Sequence, residues 1–270
     1  MSAVPPVPVR SPLTGALSGT TAVLVGGSSG IGLAAAVLLR SVGARVVLVG
    51  RDRDRLNAAV SRVRGASAAD GHDGAHDPDD AVLYVVGDGG DERVLAEAFD
   101  RAGHVDHMFV TAGGLSGAGP LAGLSADGIR SACDSRLQTA FTTARTAASR
   151  LPAGGSLTFS SGILVVRPAP GMAAPLSVAG AVETLTRALA VELAPERVRV
   201  NTVRYGRIDT PLLRSLPGLD SDEAVAAAGS TTPLGRFGTA EEAAASALFL
   251  MANHYMTGQI LTVDGGETLA

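Results

Sequence analysis

At 270 residues, with 46% apolar and 18% charged side chains, the chain is long enough to bury a substantial core. A net charge of −4 without any basic run excludes a nucleic-acid footprint, and no stretch reaches the roughly 18 consecutive apolar residues of a membrane helix. The single cysteine, Cys133, excludes an internal disulfide and reads as a small buried residue in a reducing, cytoplasmic setting; all 22 basic residues are arginine.

Residues 1–17 are proline-rich (Pro5, Pro6, Pro8, Pro12) and lack an apolar h-region, so they read as a disordered lead-in and not as a secretory signal. From residue 18 onward, short apolar runs alternate with helix-periodic stretches. Strands are predicted over Thr21–Val25, Arg45–Val49, Val82–Val86, His107–Val110, Ser156–Phe159, Arg197–Val203 and Gln259–Val263. Helices are predicted over Ile31–Val42, Arg53–Arg64, Glu92–Ala102, Asp127–Arg150, Val178–Leu193 and Glu241–Met251. This rhythm predicts an α/β fold: one Rossmann-type domain over 18–270, with a doubly wound parallel sheet of seven strands covered on both faces.

Two segments break the rhythm. Gly65–Asp80 reads as a surface loop whose His72, Asp73, His76 and Asp77 are solvated side chains and not a metal site, since a loop without a second shell cannot fix ligand geometry. Thr210–Thr239 follows a strand's carboxyl end, where open α/β sheets place ligands, and reads as a substrate lid.

The sharpest motif is Val25-Gly26-Gly27-Ser28-Ser29-Gly30-Ile31-Gly32, between an apolar strand and an apolar helix. Gly26 allows a tight turn, Gly30 lets the backbone approach a pyrophosphate, and Gly32 lets helix and strand pack closely. The helix N-terminus then offers unpaired N–H donors to the phosphates. About twenty residues further on, a site for an unphosphorylated ribose needs an acid. Here the second strand ends at Gly50 and Arg51, and a planar cation suits a 2′-phosphate, so NADP(H) is favoured over NAD(H); a solvated loop arginine is the alternative.

From Thr21 to the C-terminus the chain resembles the classical short-chain dehydrogenase/reductases. Gly26-x-x-x-Gly30-x-Gly32 matches that family's cofactor turn, and Asp88 matches its adenine-contacting aspartate. Thr111-Ala112-Gly113 keeps the Ala-Gly half of its Asn-Asn-Ala-Gly. Arg199-Val200-Asn201 resembles its Arg-Val-Asn strand, and Val263-Asp264-Gly265-Gly266 its C-terminal signature. Gly206, Ile208 and Thr210 match the Pro-Gly-x-Ile-x-Thr segment that lies against the nicotinamide. The resemblance implies a cofactor held by Gly26, Ser28, Ser29, Gly30, Ile31, Gly32, Arg51, Asp88, Ala112, Gly113, Gly206, Ile208 and Thr210. It also implies a homodimer or homotetramer built through the long helices and the last strand.

The family's chemistry rests on Asn, Ser, Tyr and Lys, the Lys lying four residues beyond the Tyr on one helix face. Ser161 matches the Ser, but Pro175 stands at the Tyr position, Ala179 at the Lys position and Arg136 at the Asn position. A one-residue slip brings in only Ala174, Leu176, Val178 or Gly180, and the chain holds no lysine elsewhere. Three residues are left to handle a substrate oxygen. Ser161 is the first. Arg136 polarises a carbonyl or clamps a carboxylate, unless it pairs with Asp134. Tyr205, at the Pro of the family's Pro-Gly turn, either reaches the substrate or packs; Tyr84 and Tyr255 read as structural. Arg167, in Arg167-Pro168-Ala169-Pro170-Gly171, offers a second cation for a small, anionic substrate.

Three functions fit. The favoured one is an NADP(H)-dependent oxidoreductase acting on a small carbonyl or alcohol through an atypical proton-relay site. The others are a non-redox cyclase, dehydratase or isomerase, and a catalytically inactive cofactor-binding protein.

Overall fold

The computed structural model describes residues 14–66 and 81–270. Its main sheet has seven strands: β1 (Thr21–Val25), β2 (Arg45–Gly50), β3 (Val82–Val86), β4 (His107–Val110), β5 (Ser156–Gly162), β6 (Arg199–Tyr205) and, after a small two-stranded ladder of β7 (Ile208–Asp209) with β8 (Gly238–Thr239), β9 (Ile260–Val263). They lie in the order β3-β2-β1-β4-β5-β6-β9, and every neighbouring pair is parallel. Because side chains alternate along a strand, Val23, Val25, Met108 and Leu157 enter one buried layer while Ala22, Leu24, Leu48 and Phe109 enter the other.

Helices α1 (Gly30–Ser41) and α2 (Arg53–Arg64) cover the second layer together with α9 (Ala240–Ala252). The first layer is closed by α3 (Glu92–Ala102), α5 (Thr139–Arg150) and α6 (Ala173–Glu192). The strand order reverses between β1 and β4, and a crevice opens there at the carboxyl ends of the strands.

The expected helix Asp127–Arg150 is three pieces: α4 (Ala126–Ala132), a six-residue π-helical segment (Cys133–Gln138) and α5. Its apolar spacing carries no signal for the widened turn. Helix α6 begins at Ala173 and not at Val178, because Pro175 lies in the first turn, where a missing N–H breaks no helical bond. The expected lid forms α7 (Pro211–Arg214), α8 (Asp222–Gly229) and the β7–β8 ladder. Leu17 is buried in the α1–α2–α9 layer; residues 1–13 lie outside the described residues, as do 67–80 with His72, Asp73, His76 and Asp77. Cys133 is half-buried, not buried, and Tyr255 is fully exposed. Among the described residues, no helix is long and apolar enough to cross a membrane, and no three His, Cys, Asp or Glu gather as metal ligands.

At the opposite end of the sheet, His107 is buried and its Nδ1 lies 2.9 Å from Ser156 Oγ. Burial lowers the imidazole from 6.5 to about 4, with Asp106 opposing and Arg199 and His254 adding to the shift. The fold therefore favours the neutral ring, and the unfolded chain binds more protons between these two values. Stability should fall as pH drops from about 6.5 to about 4, by roughly 3 kcal/mol in total from this group. Urea unfolding across that range should show this slope, and His107→Gln should remove this component of it.

Candidate active site

The cleft has a volume of about 1600 Å³ and runs from the end of β2, across the glycine turn, to the loop after β5 and to α7. Its floor is the turn between β1 and α1. Gly26 has φ +91°, and a Cβ there would lie 2.6 Å from Thr111 Oγ1. A Cβ on Gly32 would strike the Gly26 carbonyl oxygen and lie 2.7 Å from Thr111 Oγ1. Thr111, which replaces the family's Asn, ties β4 to this turn: its hydroxyl donates to the Val25 and Gly26 carbonyls at 3.3 Å each, and its N–H to Val25 at 2.8 Å.

Helix α1 opens on Ser29, whose side chain makes no cap, whereas α2, α3 and α9 are capped by Asp52, Asp91 and Thr239. The first N–H groups of α1 thus face the cleft beside Ser28, Gly30 and Ile31, as a pyrophosphate requires. Thr210 closes the cleft above Gly30, where a Cβ would lie 3.5 Å from its methyl group. Ile208 is buried, turned towards Gly238 and the core, so the cleft meets it mainly through its backbone. Gly206 leaves no room for a side chain beside Asp264, its would-be Cβ lying 2.6 Å from the Asp264 Cα.

At the far end, Gly50 and Arg51 line the cleft with Asp52 and Arg55. Asp52 is committed elsewhere: its carboxylate accepts the Arg55 N–H at 3.0 Å as the cap of α2 and pairs with the Arg55 side chain. Arg51 lines the same end of the cleft and is solvent-exposed. Asp88 is exposed, with Oδ1 accepting the Gly90 N–H at 2.8 Å, and Ala112 and Gly113 form the opposite wall. The donor set and the glycine cradle fit a dinucleotide.

At the substrate end the π-helical segment carries Arg136. Its guanidinium lies flat against Gly113, whose hypothetical Cβ would sit 3.0 Å from Nη2, and Nη1 donates to the Ser160 carbonyl at 3.1 Å. Among the described residues no carboxylate pairs with it, so the expected alternative of an Asp134 ion pair is not what the structure shows. Burial lowers the guanidinium from its ordinary value without another compensating charge, yet a guanidinium keeps its proton.

Ser161, at the end of β5, is buried, and its Oγ donates to Glu183 Oε1 at 2.8 Å. Glu183 lies on α6 one turn beyond Ala179 and two beyond Pro175, on the same face of the helix. Arg204, paired with Ser161 across β5 and β6, grips the same carboxylate with Nε at 2.9 Å and Nη2 at 2.5 Å. Sequence reasoning missed both residues; a lone Glu amid the apolar face of α6, beside an Arg in an apolar strand, was the available signal. It also missed Glu267, whose carboxylate receives Arg207 and whose carbonyl receives Arg167. Arg167 therefore lines the cleft, but it is solvent-exposed and tied to the C-terminal turn.

Tyr205 does not turn its hydroxyl into the cleft. Its side chain turns into the core, its hydroxyl donates to the Ala243 carbonyl at 3.2 Å, and burial pushes the phenol well above its ordinary value. The physical reason is strand alternation: Arg204 takes the α6 side of β6, so Tyr205 takes the α9 side. Of the three residues expected to handle oxygen, Ser161 and Arg136 both line the cleft, whereas Tyr205 turns its hydroxyl away from it.

A sequence model of the family described as enoyl-(acyl carrier protein) reductase matches residues 25–268. The chain is 32% identical over 253 residues to carbonyl reductase family member 4 of Danio rerio, covering 92% of this chain and 98% of that one. It is 29% identical over 254 residues to the 3-oxoacyl-[acyl-carrier-protein] reductase FabG of Thermotoga maritima, covering 93% and 98%. In structure it is similar to the MalC reductase/Diels-Alderase of Malbranchea aurantiaca, with a TM-score of 0.84 and 27% identity over 96% of this chain and 100% of that one.

Two substitutions test these placements. Tyr205→Phe should cost about 1 kcal/mol in urea unfolding, the worth of one hydrogen bond, and leave the calorimetric affinity for NADPH unchanged. Gly32→Ala should lower stability by roughly 1–3 kcal/mol and weaken NADPH binding, because the added methyl forces α1 away from the turn.

Proposed function

The chain belongs to the short-chain dehydrogenase/reductase family, and from that premise we propose that it transfers hydride between NADP(H) and a small molecule whose oxygen is held by Arg136. Its relatives are oxidoreductases, and a nicotinamide cofactor is common ground for the family. The preference for NADP(H) rests on Arg51 lining the β2 end of the cleft while Asp52 is occupied as the cap of α2. When bound, the cofactor supplies or accepts the hydride. The residues of the chain do the rest: the glycine turn and the α1 N-terminus orient the phosphates, Ile208 and Thr210 bound the nicotinamide end, and Arg136 polarises the substrate oxygen.

The observation that carries this reading is the asymmetry of the cleft: it has a half-buried cation, Arg136, and, among the described residues, no side chain fit to give up a proton. Its described lining holds no His, Cys or Lys, and the one tyrosine in it has its hydroxyl in the core. Hydride addition to a simple ketone leaves a strongly basic alkoxide that needs an acid at once. Addition to a conjugated, enone-like carbonyl leaves a far less basic enolate, which a fixed guanidinium can stabilise while water protonates carbon. Conjugated carbonyls are therefore the favoured substrates, in line with the enoyl reductase description of the matching family. We further propose that the protein works in the cytoplasm as a homodimer or homotetramer.

A second reading keeps the pocket and drops the redox step. The similarity to MalC favours it, because MalC is named a Diels-Alderase as well as a reductase, and a cycloaddition needs a polarised carbonyl without a proton relay.

Calorimetry with NADPH and NADH tests the cofactor choice. NADPH should bind more tightly, and Arg51→Ala should reduce that preference about 10- to 100-fold, the worth of a charge-assisted hydrogen bond. Oxidation of NADPH should be faster with enones than with the matching saturated ketones. Conversion of a diene or enone substrate without NADPH consumption would favour the second reading.

A further inference from the structure

Resting on the reading of this cleft as the substrate site, we propose that Glu183 fixes the hydroxyl of Ser161 as a hydrogen-bond acceptor and so makes the site select substrates that carry an O–H or N–H beside the carbonyl.

A serine hydroxyl has one proton. Here it is directed at Glu183 Oε1 over 2.8 Å, in a charge-assisted bond to a carboxylate. The carboxylate cannot easily turn away, because Arg204 holds both of its oxygens from the neighbouring strand and donates in turn to Thr262 Oγ1 at 3.4 Å. Ser161, Glu183 and Arg204 are thus a closed ladder in which each donor has its acceptor. The ladder is largely buried, the side chain of Arg204 being only 15% exposed and that of Glu183 5%. Reorienting the serine proton towards the cleft would leave a buried carboxylate oxygen short of a donor, which is costly.

Towards the cleft Ser161 then presents only lone pairs. Arg136, one residue away through the Ser160 carbonyl, presents only N–H groups. The pair forms an acceptor beside a donor. A ligand that matches it offers a carbonyl oxygen to Arg136 and a proton to Ser161, as an α-hydroxyketone or an enolised 1,3-dicarbonyl does. Glu183 touches neither the substrate nor the reacting atoms; it is a positioning residue and determines specificity through Ser161.

The test uses two probes with the same carbonyl, α-hydroxyacetophenone and its methyl ether α-methoxyacetophenone, titrated by ligand-observed NMR against the full chain with and without NADP+. The ether sets lone pairs against those of Ser161, so the wild type should prefer the hydroxyl probe about tenfold or more. Glu183→Gln keeps the side-chain volume, lets an amide N–H face Ser161 and frees the serine proton for the cleft. It should bring the preference close to one while thermal unfolding is followed separately. Ser161→Ala should do the same, and decides the matter if Glu183→Gln fails to fold. Equal binding of the two probes by the wild type, no saturation by either probe, or a full preference kept in a folded Glu183→Gln protein would overturn the proposal. A protein that takes up no NADP+ but still prefers the hydroxyl probe would remove the function proposed above and leave this pairing standing.

Discussion

Between β1, β4 and α1 the backbone comes so close that a methyl group on Gly26 or Gly32 has nowhere to go. Everything on the cofactor side of the cleft follows from that approach. It brings the first turn of α1 against the ends of two strands, exposes its N–H groups, and lets the Thr111 hydroxyl tie β4 to the turn. The parallel sheet extends the arrangement sideways, since strands of one direction deliver all their carboxyl ends, and so Gly50, Ser161 and Gly206, to a single edge. The cofactor half of the site is thus a property of backbone geometry and tolerates wide change in side chains.

The substrate half is a property of charge. Helix α6 presents Pro175 and Ala179 and, one turn later, a carboxylate. The cation at this end comes from the π-helical segment and the anion from α6. An ammonium set beside Glu183 would have competed with Arg204 for it. The Glu183–Arg204 pair and a chain without lysine are mutually consistent.

Much of this was legible in the sequence. The seven strands, their order of appearance and the glycine turn stand out because apolar runs and Gly26, Gly30 and Gly32 leave a periodic trace. Ser161 and Arg136 were placed by resemblance, and both line the cleft. Tyr205 could not be judged that way, because which face a strand residue takes depends on register, and the run Arg204–Tyr205–Gly206 gives no clue to it. Glu183 was hidden for a related reason: on a helix read for its apolar face, one acid looks like an interruption until Arg204 and Ser161 are seen around it. The clasp of Glu267 on Arg167 and Arg207 joins residues about 60 to 100 positions apart, beyond the reach of any local pattern.

The π-helical segment from Cys133 to Gln138 has an evolutionary side. A widened turn is in effect a helix with one residue too many, and such a surplus is created or erased by a single codon. Losing one residue between Cys133 and Gln138 would rewind Ala126–Arg150 into one regular helix and swing the side chains on one side of the deletion by about 100° relative to the rest. Arg136 would leave Gly113 and Ser160 without any change in the residues it now touches. A lineage carrying this scaffold therefore has the position of Arg136 on a one-step genetic switch, separate from the glycine turn.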